Sequence, residues 1–249
     1  MNWIKTIPDD TTKNQLIGNV AWNWANNDLT SASAYALTMP PGSGQNSLIN
    51  AVSNQMAGRD PSKAIDWVNQ LPEGEGKMGA INNVLNQWAN NDTASAASYV
   101  QSMPDGPARQ NAMQSVVNNW AQNDPAAAAK WITNFPDGNQ KNNAYSNIAN
   151  NWANNDPVQA ATWLTQLPNG ASRDAAVRSF SSQVFNTDPE SADQWAESIT
   201  DPNARQSQVS SILQRWMQTD PTAAAAMVQK SSLPAEQKTR LLQQAANHQ

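Results

Sequence analysis

The chain has 249 residues, of which 39% are hydrophobic and only 14% are charged, and its formal net charge at pH 7 is −5. A mildly acidic chain without a basic run has no electrostatic reason to hold a phosphate backbone, so we expect no nucleic-acid partner. The chain contains no cysteine, which excludes disulfides and thiolate metal sites. Its apolar runs fall short of the roughly 20 residues that a membrane span needs, so we also expect no membrane span.

One period of 32 residues organises the chain. Aspartate recurs with this spacing at Asp28, Asp60, Asp92, Asp124, Asp156, Asp188 and Asp220. A fixed period of about 20–50 residues is typical of a solenoid built from one repeated unit. We therefore predict an all-α, right-handed αα-hairpin solenoid of about 7.5 repeats, forming a single domain over residues 1–249. The predicted repeat boundaries lie near residues 28, 60, 92, 124, 156, 188 and 220.

The predicted elements begin in the middle of a repeat. Trp3 and Ile4 fit the second half of a first helix, and Trp24 lies in the helix that follows. The residues after Met1 do not form a signal peptide. We expect a cytoplasmic chain as it stands, and a secreted or periplasmic one if it was trimmed from a longer protein.

The first helix of each repeat is predicted to begin at the recurring aspartate. In Asp124–Pro125 the carboxylate would cap the free amides, and proline suits the first helical position. Apolar residues four, seven and eight positions after the aspartate, such as Ala128, Trp131 and Ile132, form one helical face. A metal or acid ladder is the alternative interpretation of the aspartates, but capping explains them completely.

A turn and a second helix complete the predicted repeat. Pro136 and Gly138 illustrate the Pro-x-Gly turn that follows the first helix. The second helix then runs to the next aspartate, with Ile148 and Trp152 on its apolar face in one copy. Because such a hairpin cannot bury both faces alone, neighbouring repeats should stack and share a continuous core.

Tryptophan forms two columns along the repeats. The columns are Trp24, Trp88, Trp120, Trp152 and Trp216, and Trp67, Trp131, Trp163 and Trp195. We interpret them as core packing, since both lie on apolar faces, and the alternative is an aromatic array that grips a sugar or peptide. Trp22 departs from this pattern, because its position is Asn in the next four repeats. It is predicted to be exposed and is a candidate ligand contact.

An uncharged amide ladder is predicted on the outward face of the second helices. Its members are Asn54, Asn86, Asn118 and Asn150. A solvated helix would more often carry Glu, Lys and Arg, so these side chains are candidate contacts for a polysaccharide or for a second copy of the chain. The alternative is a compositional bias or a recent duplication.

Charged residues give little support for catalysis. Acid and base four residues apart suit local ion pairs in Glu73/Lys77, Asp105/Arg109, Asp137/Lys141 and Asp201/Arg205. Glu190, Asp193 and Glu197 form an acidic stripe that we interpret as a solvated face, with a cation or basic partner as the alternative. The only histidine is His248, and no nucleophile or phosphate-loop motif is present. We expect no enzymatic activity, no cofactor and no metal.

The hairpin unit resembles that of the tetratricopeptide-type α-solenoid superfamily over nearly the whole chain. That superfamily has a unit of about 34 residues with a Trp-x-x-Leu-Gly-x-x-Tyr pattern, which is absent here. The chain is more similar to tandem repeats of uncharacterised bacterial proteins, of the form Trp-Ala-x-x-Asp-Pro-x-x-Ala-x-x-Trp, carried by Trp120 to Trp131 and by Trp152 to Trp163. The superfamily likeness implies a protein- or peptide-binding groove lined by the first helices.

Two functions fit these patterns. The first is a non-catalytic repeat scaffold that binds a protein, peptide or glycan, because a solenoid presents a long surface and the exposed positions of its first helices vary. The alternative is a self-assembling structural protein that stacks head-to-tail into rings or filaments, as a homo-oligomer. Trp3 and Ile4 favour the second function because they belong to half a helix with no repeat before it.

Overall fold

The computed structural model describes residues 10–246, and all the regular elements in this part of the chain are helices. The shorter helices, which begin at the recurring aspartates, are α2 (Leu29–Thr38), α4 (Pro61–Asn69), α6 (Thr93–Ser102), α8 (Pro125–Ile132), α10 (Pro157–Gln166), α12 (Pro189–Glu197) and α14 (Pro221–Lys230). The helices that alternate with them are α1 (Asp10–Asn27), α3 (Ser43–Ala57), α5 (Glu75–Asn91), α7 (Pro107–Asn123), α9 (Asn139–Asn155), α11 (Ala171–Val184), α13 (Pro202–Thr219) and α15 (Ala235–Ala246). We call these two sets the short and the long helices.

The chain divides into two compact units, Met1–Asn119 and Trp120–Gln249. In the first unit α1 packs on α3 and α3 packs on α5, while α2 and α4 each pack on the long helices before and after them. In the second unit α9 packs on α11, and α10 and α12 each pack on the long helices that flank them. Each unit is therefore a stack of αα-hairpins, which confirms the predicted fold class. The single domain over 1–249 and its repeat boundaries stay predictions.

The recurring aspartates cap the short helices as predicted. In each repeat Oδ1 of the aspartate accepts a hydrogen bond from the backbone N–H three residues later, at 2.9–3.1 Å. The long helices of the Pro-x-Gly repeats start differently, from a glycine such as Gly138, whose φ of 152° is a conformation that side chains rarely adopt. Aspartate and glycine thus fix the two helix starts of a repeat.

The core lies between the two sets of helices. The alanine four residues after each capping aspartate has an exposed fraction of 0% in all seven repeats: Ala32, Ala64, Ala96, Ala128, Ala160, Ala192 and Ala224. A small side chain at this position lets the short helix approach the long helices closely, and larger aliphatic side chains of the long helices fill the remaining space. Among residues 10–246 the helices lack the combination of length and apolar character needed to cross a membrane.

The turn between α12 and α13 is built without the Pro-x-Gly motif. Between α12 and α13 the positions of proline and glycine are taken by Thr200 and Pro202. Asp174 of α11, which is 5% exposed, supports this turn instead. Its carboxylate accepts from the backbone N–H groups of Thr200 and Asp201, each at 2.9 Å, and from the Thr200 hydroxyl at 2.7 Å. The buried carboxylate of Asp174 therefore stabilises this turn, whereas proline and glycine shape the turns of the Pro-x-Gly repeats.

Candidate functional site

The aspartate column has the geometry of helix caps. Hydrogen bonds from Ser95 lower the pKa of Asp92, and hydrogen bonds from Ser191 lower the pKa of Asp188, so both carboxylates are ionised at neutral pH. Successive capping aspartates lie 32 residues apart in the sequence, one in each repeat. Within residues 10–246 no group of three or more candidate ligand side chains is arranged to hold a metal ion. The absence of a cofactor and of a metal stays a prediction.

The amide ladder lies on the long helices, and some of its groups bond to each other. Asn54 and Asn150 are half-buried, whereas Asn86 and Asn118 are exposed. Nε2 of Gln87 donates to Oδ1 of Asn54 at 2.7 Å and so joins α5 to α3. Further amide bonds between long helices link Asn83 to Asn50 and Gln183 to Asn154. These contacts give the amides a structural role, and their predicted role as ligand contacts stays a prediction.

Trp22 is exposed, as the sequence predicted. Its side chain on α1 has an exposed fraction of 56%. The only other large hydrophobic side chains that are exposed among the described residues are Met78 and Val158. Trp22 belongs to the first unit and Val158 to the second. Its role as a ligand contact stays a prediction.

The local ion pairs are confirmed at three of the four predicted places. Lys77 contacts Glu73 at 2.7 Å, Lys141 contacts Asp137 at 3.0 Å, and Arg109 contacts Asp105. The fourth pair is absent among the described ion pairs, because Asp201 caps α13 and Arg205 donates to the carbonyl of Ile199 at 3.0 Å. Exposed pairs of this type add little stability.

The acidic stripe is only partly a solvated face. Glu190 is exposed and Glu197 is half-buried, but Asp193 is 2% exposed, so the prediction is wrong for Asp193. Its position corresponds to Ile65 and Ala129, which are buried in their own repeats. Burial raises the pKa of Asp193 to about 7, and the Glu197 carboxylate adds to this shift. Glu197 itself accepts a hydrogen bond from the backbone N–H of Ser232 at 2.7 Å.

The tryptophan columns meet in ring pairs inside the stack. The tryptophan four residues before a capping aspartate packs on the aromatic residue seven after it. The ring centroids are 5.3 Å apart for Trp24–Tyr35, 5.9 Å for Trp88–Tyr99, 5.9 Å for Trp120–Trp131 and 5.4 Å for Trp152–Trp163. Tilted rings at these separations are favourable aromatic contacts. Trp24, Trp131 and Trp152 are buried, which confirms the core interpretation at these positions. Both rings of the Trp88–Tyr99 pair are half-buried.

Within residues 10–246 the first column is interrupted at two positions, Met56 and Val184. In both repeats the long helix also ends early. α3 ends at Ala57 and α11 ends at Val184, whereas α9 runs to Asn155, immediately before its capping aspartate. The loss of the indole therefore coincides with a shortened long helix.

A groove of about 530 Å³ lies where Val184 replaces the tryptophan. It opens between α10 and α12, over the end of α11 that carries Phe180 and Val184. Val158 of α10, which is 74% exposed, lines one side and Trp195 of α12 lines the other. Trp195 lacks the indole partner that four other repeats have, and Phe180 meets its ring edge-on at 5.2 Å. We call this site the α10/α12 groove.

The α10/α12 groove combines an apolar base with a polar edge. Thr162, Thr165, Thr187, Asp188 and Ser191 supply the edge. Its volume is within the range of about 300–1,000 Å³ that ligand pockets occupy, and apolar surface with a few polar groups is typical of such pockets. The arrangement can bind an apolar group at its base and accept hydrogen bonds from a polar donor attached to that group. The sequence signal that could have located the groove is the break in the tryptophan column at Val184.

No protein-family model matches the chain, and comparisons with curated proteins and with solved structures give no significant match. The helical-repeat architecture is confirmed by the packing of successive helices.

Proposed function

We propose that the protein is a non-catalytic repeat scaffold that binds a protein or peptide segment in the α10/α12 groove. The observation that carries this proposal is the interruption of the ring pairs at Val184, which leaves Trp195 and Phe180 lining an open groove. In four other repeats an indole from the protein itself packs on the corresponding ring. Apolar surface left open in this way is characteristic of interaction sites.

The groove has a shape and position that suit an extended segment. Short helices form both of its sides and α11 forms its base, so a chain lying along it would contact three elements at once. This is the type of groove that the tetratricopeptide likeness implies. We propose kinship with that superfamily on the strength of the two-helix repeat, while fold analogy alone says little about the ligand.

The glycan and self-assembly alternatives gain no specific observation. The amides that suggested a glycan surface are partly engaged with each other, as Gln87 is with Asn54. The self-assembly prediction was based on Trp3 and Ile4, which lie outside the described residues. The α10/α12 groove therefore favours a peptide scaffold over both alternatives.

A random peptide display library selected on the immobilised protein tests the proposal. Val184→Trp restores the residue that fills the corresponding position in other repeats, so it serves as the counter-target. Met56→Trp makes the same kind of change in the other unit and is the matched control. We expect peptides that bind wild type and Met56→Trp, and that bind Val184→Trp at least about tenfold more weakly. Enriched peptides that bind all three proteins equally, or no enrichment at all, would contradict the proposal.

A further inference from the structure

The repeat itself shows which chemical group is missing from the α10/α12 groove. In four repeats the ring seven residues after the capping aspartate packs on an indole, at centroid distances of 5.3–5.9 Å. Trp195 occupies that ring position, and Val184 occupies the indole position. The groove is therefore open at the place where the fold elsewhere accommodates an indole.

The hydroxyl groups along the edge of the groove already use their O–H groups as hydrogen-bond donors within the protein. Each of the four donates to an acceptor within its own helix or turn. The bonds run from Thr162 to the Val158 carbonyl at 2.9 Å, from Thr165 to the Thr162 carbonyl at 2.7 Å, from Thr187 to the Val184 carbonyl at 3.1 Å, and from Ser191 to Oδ2 of Asp188 at 2.6 Å. These oxygens can only accept further hydrogen bonds, so an occupant must bring the donor.

The charge of the groove favours the same kind of occupant. Asp188 carries a negative charge at the edge, because hydrogen bonds from Ser191 hold its pKa below the ordinary value. Among the described residues that line the groove, none is Lys or Arg. An anionic occupant would meet this carboxylate without a compensating cation, whereas a neutral donor would be attracted to it.

We propose that the α10/α12 groove receives the indole side chain of a tryptophan from the bound peptide. Indole is a large apolar ring whose single polar group, Nε1–H, is a donor and never an acceptor. It therefore matches both the apolar base, formed by Phe180, Val184 and Trp195, and the acceptor edge. Phenylalanine lacks the donor, and glutamate adds a charge that Asp188 repels. This inference rests on the proposed function and names the group that the groove recognises.

Fluorine NMR of fluorotryptophan-labelled protein tests the inference with defined probes. The Trp195 resonance is assigned from its loss in Trp195→Phe. The probes are the N-acetyl amides of tryptophan, of indole-N-methylated tryptophan, of phenylalanine and of glutamate. We expect tryptophan amide to shift the Trp195 resonance saturably, with N-methylation weakening the apparent affinity by about tenfold and with glutamate amide giving no saturable shift. Val184→Trp should abolish the shift, and Met56→Trp should keep it.

A second variant covers the case in which Val184→Trp alters folding. Val158→Asp changes a side chain that is 74% exposed, so it leaves the core intact while it removes apolar surface from the groove. We expect it to weaken tryptophan-amide binding severalfold. Equal affinity for tryptophan, its N-methylated form and glutamate would overturn the inference. Library peptides that require Val184 but contain no tryptophan would also overturn it and leave the proposed function standing, whereas a lack of Val184-dependent peptides would remove both.

Discussion

The carboxylate of Asp174 on α11 accepts both the backbone N–H and the hydroxyl of Thr200, at 2.9 and 2.7 Å, and thereby holds the turn between α12 and α13. This contact links two residues 26 positions apart at a turn where Thr200 and Pro202 replace the proline and glycine of the repeat. The turn that lacks the repeat's proline and glycine is thus held by Asp174, a residue of the preceding long helix that is Asn or Gln at the equivalent positions Asn142 and Gln110.

Asp174→Ala should destabilise the protein by about 1–3 kcal/mol, because it leaves the backbone N–H groups of Thr200 and Asp201 without the acceptor that holds the turn. Urea unfolding measures the change. Asp105→Ala is the control, since Asp105 is 85% exposed in its ion pair, and it should cost at most about 1 kcal/mol. Equal effects of the two substitutions would contradict the role of Asp174.

The same carboxylate predicts an acid-sensitive contribution to stability. Burial alone would raise the pKa of Asp174, but the hydrogen bonds from Thr200 and Asp201 lower it below its ordinary value of 3.8. A lowered folded-state pKa stabilises the fold above the unfolded value and loses that effect as the pH falls. The stability difference between wild type and Asp174→Asn should therefore shrink below about pH 4.

Trp131→Ala should cost about 3–5 kcal/mol, because its indole is 7% exposed and packs on Trp120 and Phe135, with ring centroids 5.9 and 4.7 Å away. Trp22→Ala removes the same side chain from a position that is 56% exposed, and should change stability by no more than about 0.5 kcal/mol. Thermal unfolding compares the two. An unchanged melting temperature for Trp131→Ala would show that this column is not part of the core.

Asp193→Asn should remove a pH dependence of the folding stability. This dependence falls in a higher pH range than the one expected for Asp174. Burial, followed by the neighbouring Glu197, raises the folded-state pKa of Asp193 from 3.8 to about 7. The stabilisation from protonated Asp193 is therefore fully present below pH 4 and is lost as the pH rises through about 7. Wild type should equal the variant near pH 4 and be less stable by roughly 2–4 kcal/mol at pH 8.

The comparison for Asp193 is the difference between wild type and variant at each pH, which cancels the contributions of the other carboxylates. Glu197, whose Oε1 accepts from the Ser232 N–H, is present in both proteins. A difference that stays constant from pH 5 to 8, or one that reverses in sign, would contradict the assignment of a buried neutral carboxyl group.

Val184→Trp should leave the fold intact and raise its stability by about 0.5–2 kcal/mol, because the new indole can fill the α10/α12 groove and pack on Trp195. Thermal unfolding measures this effect. A loss of about 1–3 kcal/mol would instead indicate overpacking, and would mean that the groove is too narrow for an indole.

Most of the fold could be predicted from the sequence because its determinants are local and repeated. An aspartate three residues before the N–H that it caps, as Asp124 is before Ala127, is visible in any single repeat. The Pro-x-Gly turn, such as Pro136 to Gly138, is likewise visible in a single repeat. Each of these signals occurs several times, so the repeats reinforce one another.

The features that escaped prediction depend on contacts between repeats. The bond from Gln87 to Asn54 spans 33 residues, and nothing in either helix alone reveals it. The burial of Asp193 could have been inferred, since Ile65 and Ala129 hold the equivalent position, but its polarity suggested a solvated face. Locating the groove at Val184 required the knowledge that the other tryptophans pack on rings of the short helices.

Calorimetric titration of one peptide selected on wild type into wild type, Val184→Trp and Met56→Trp tests the central claim most directly. The account predicts that Val184→Trp loses at least about tenfold in affinity, since its own indole occupies the site, while Met56→Trp binds like wild type. Equal affinity for all three folded proteins would contradict the claim that the α10/α12 groove is the binding site.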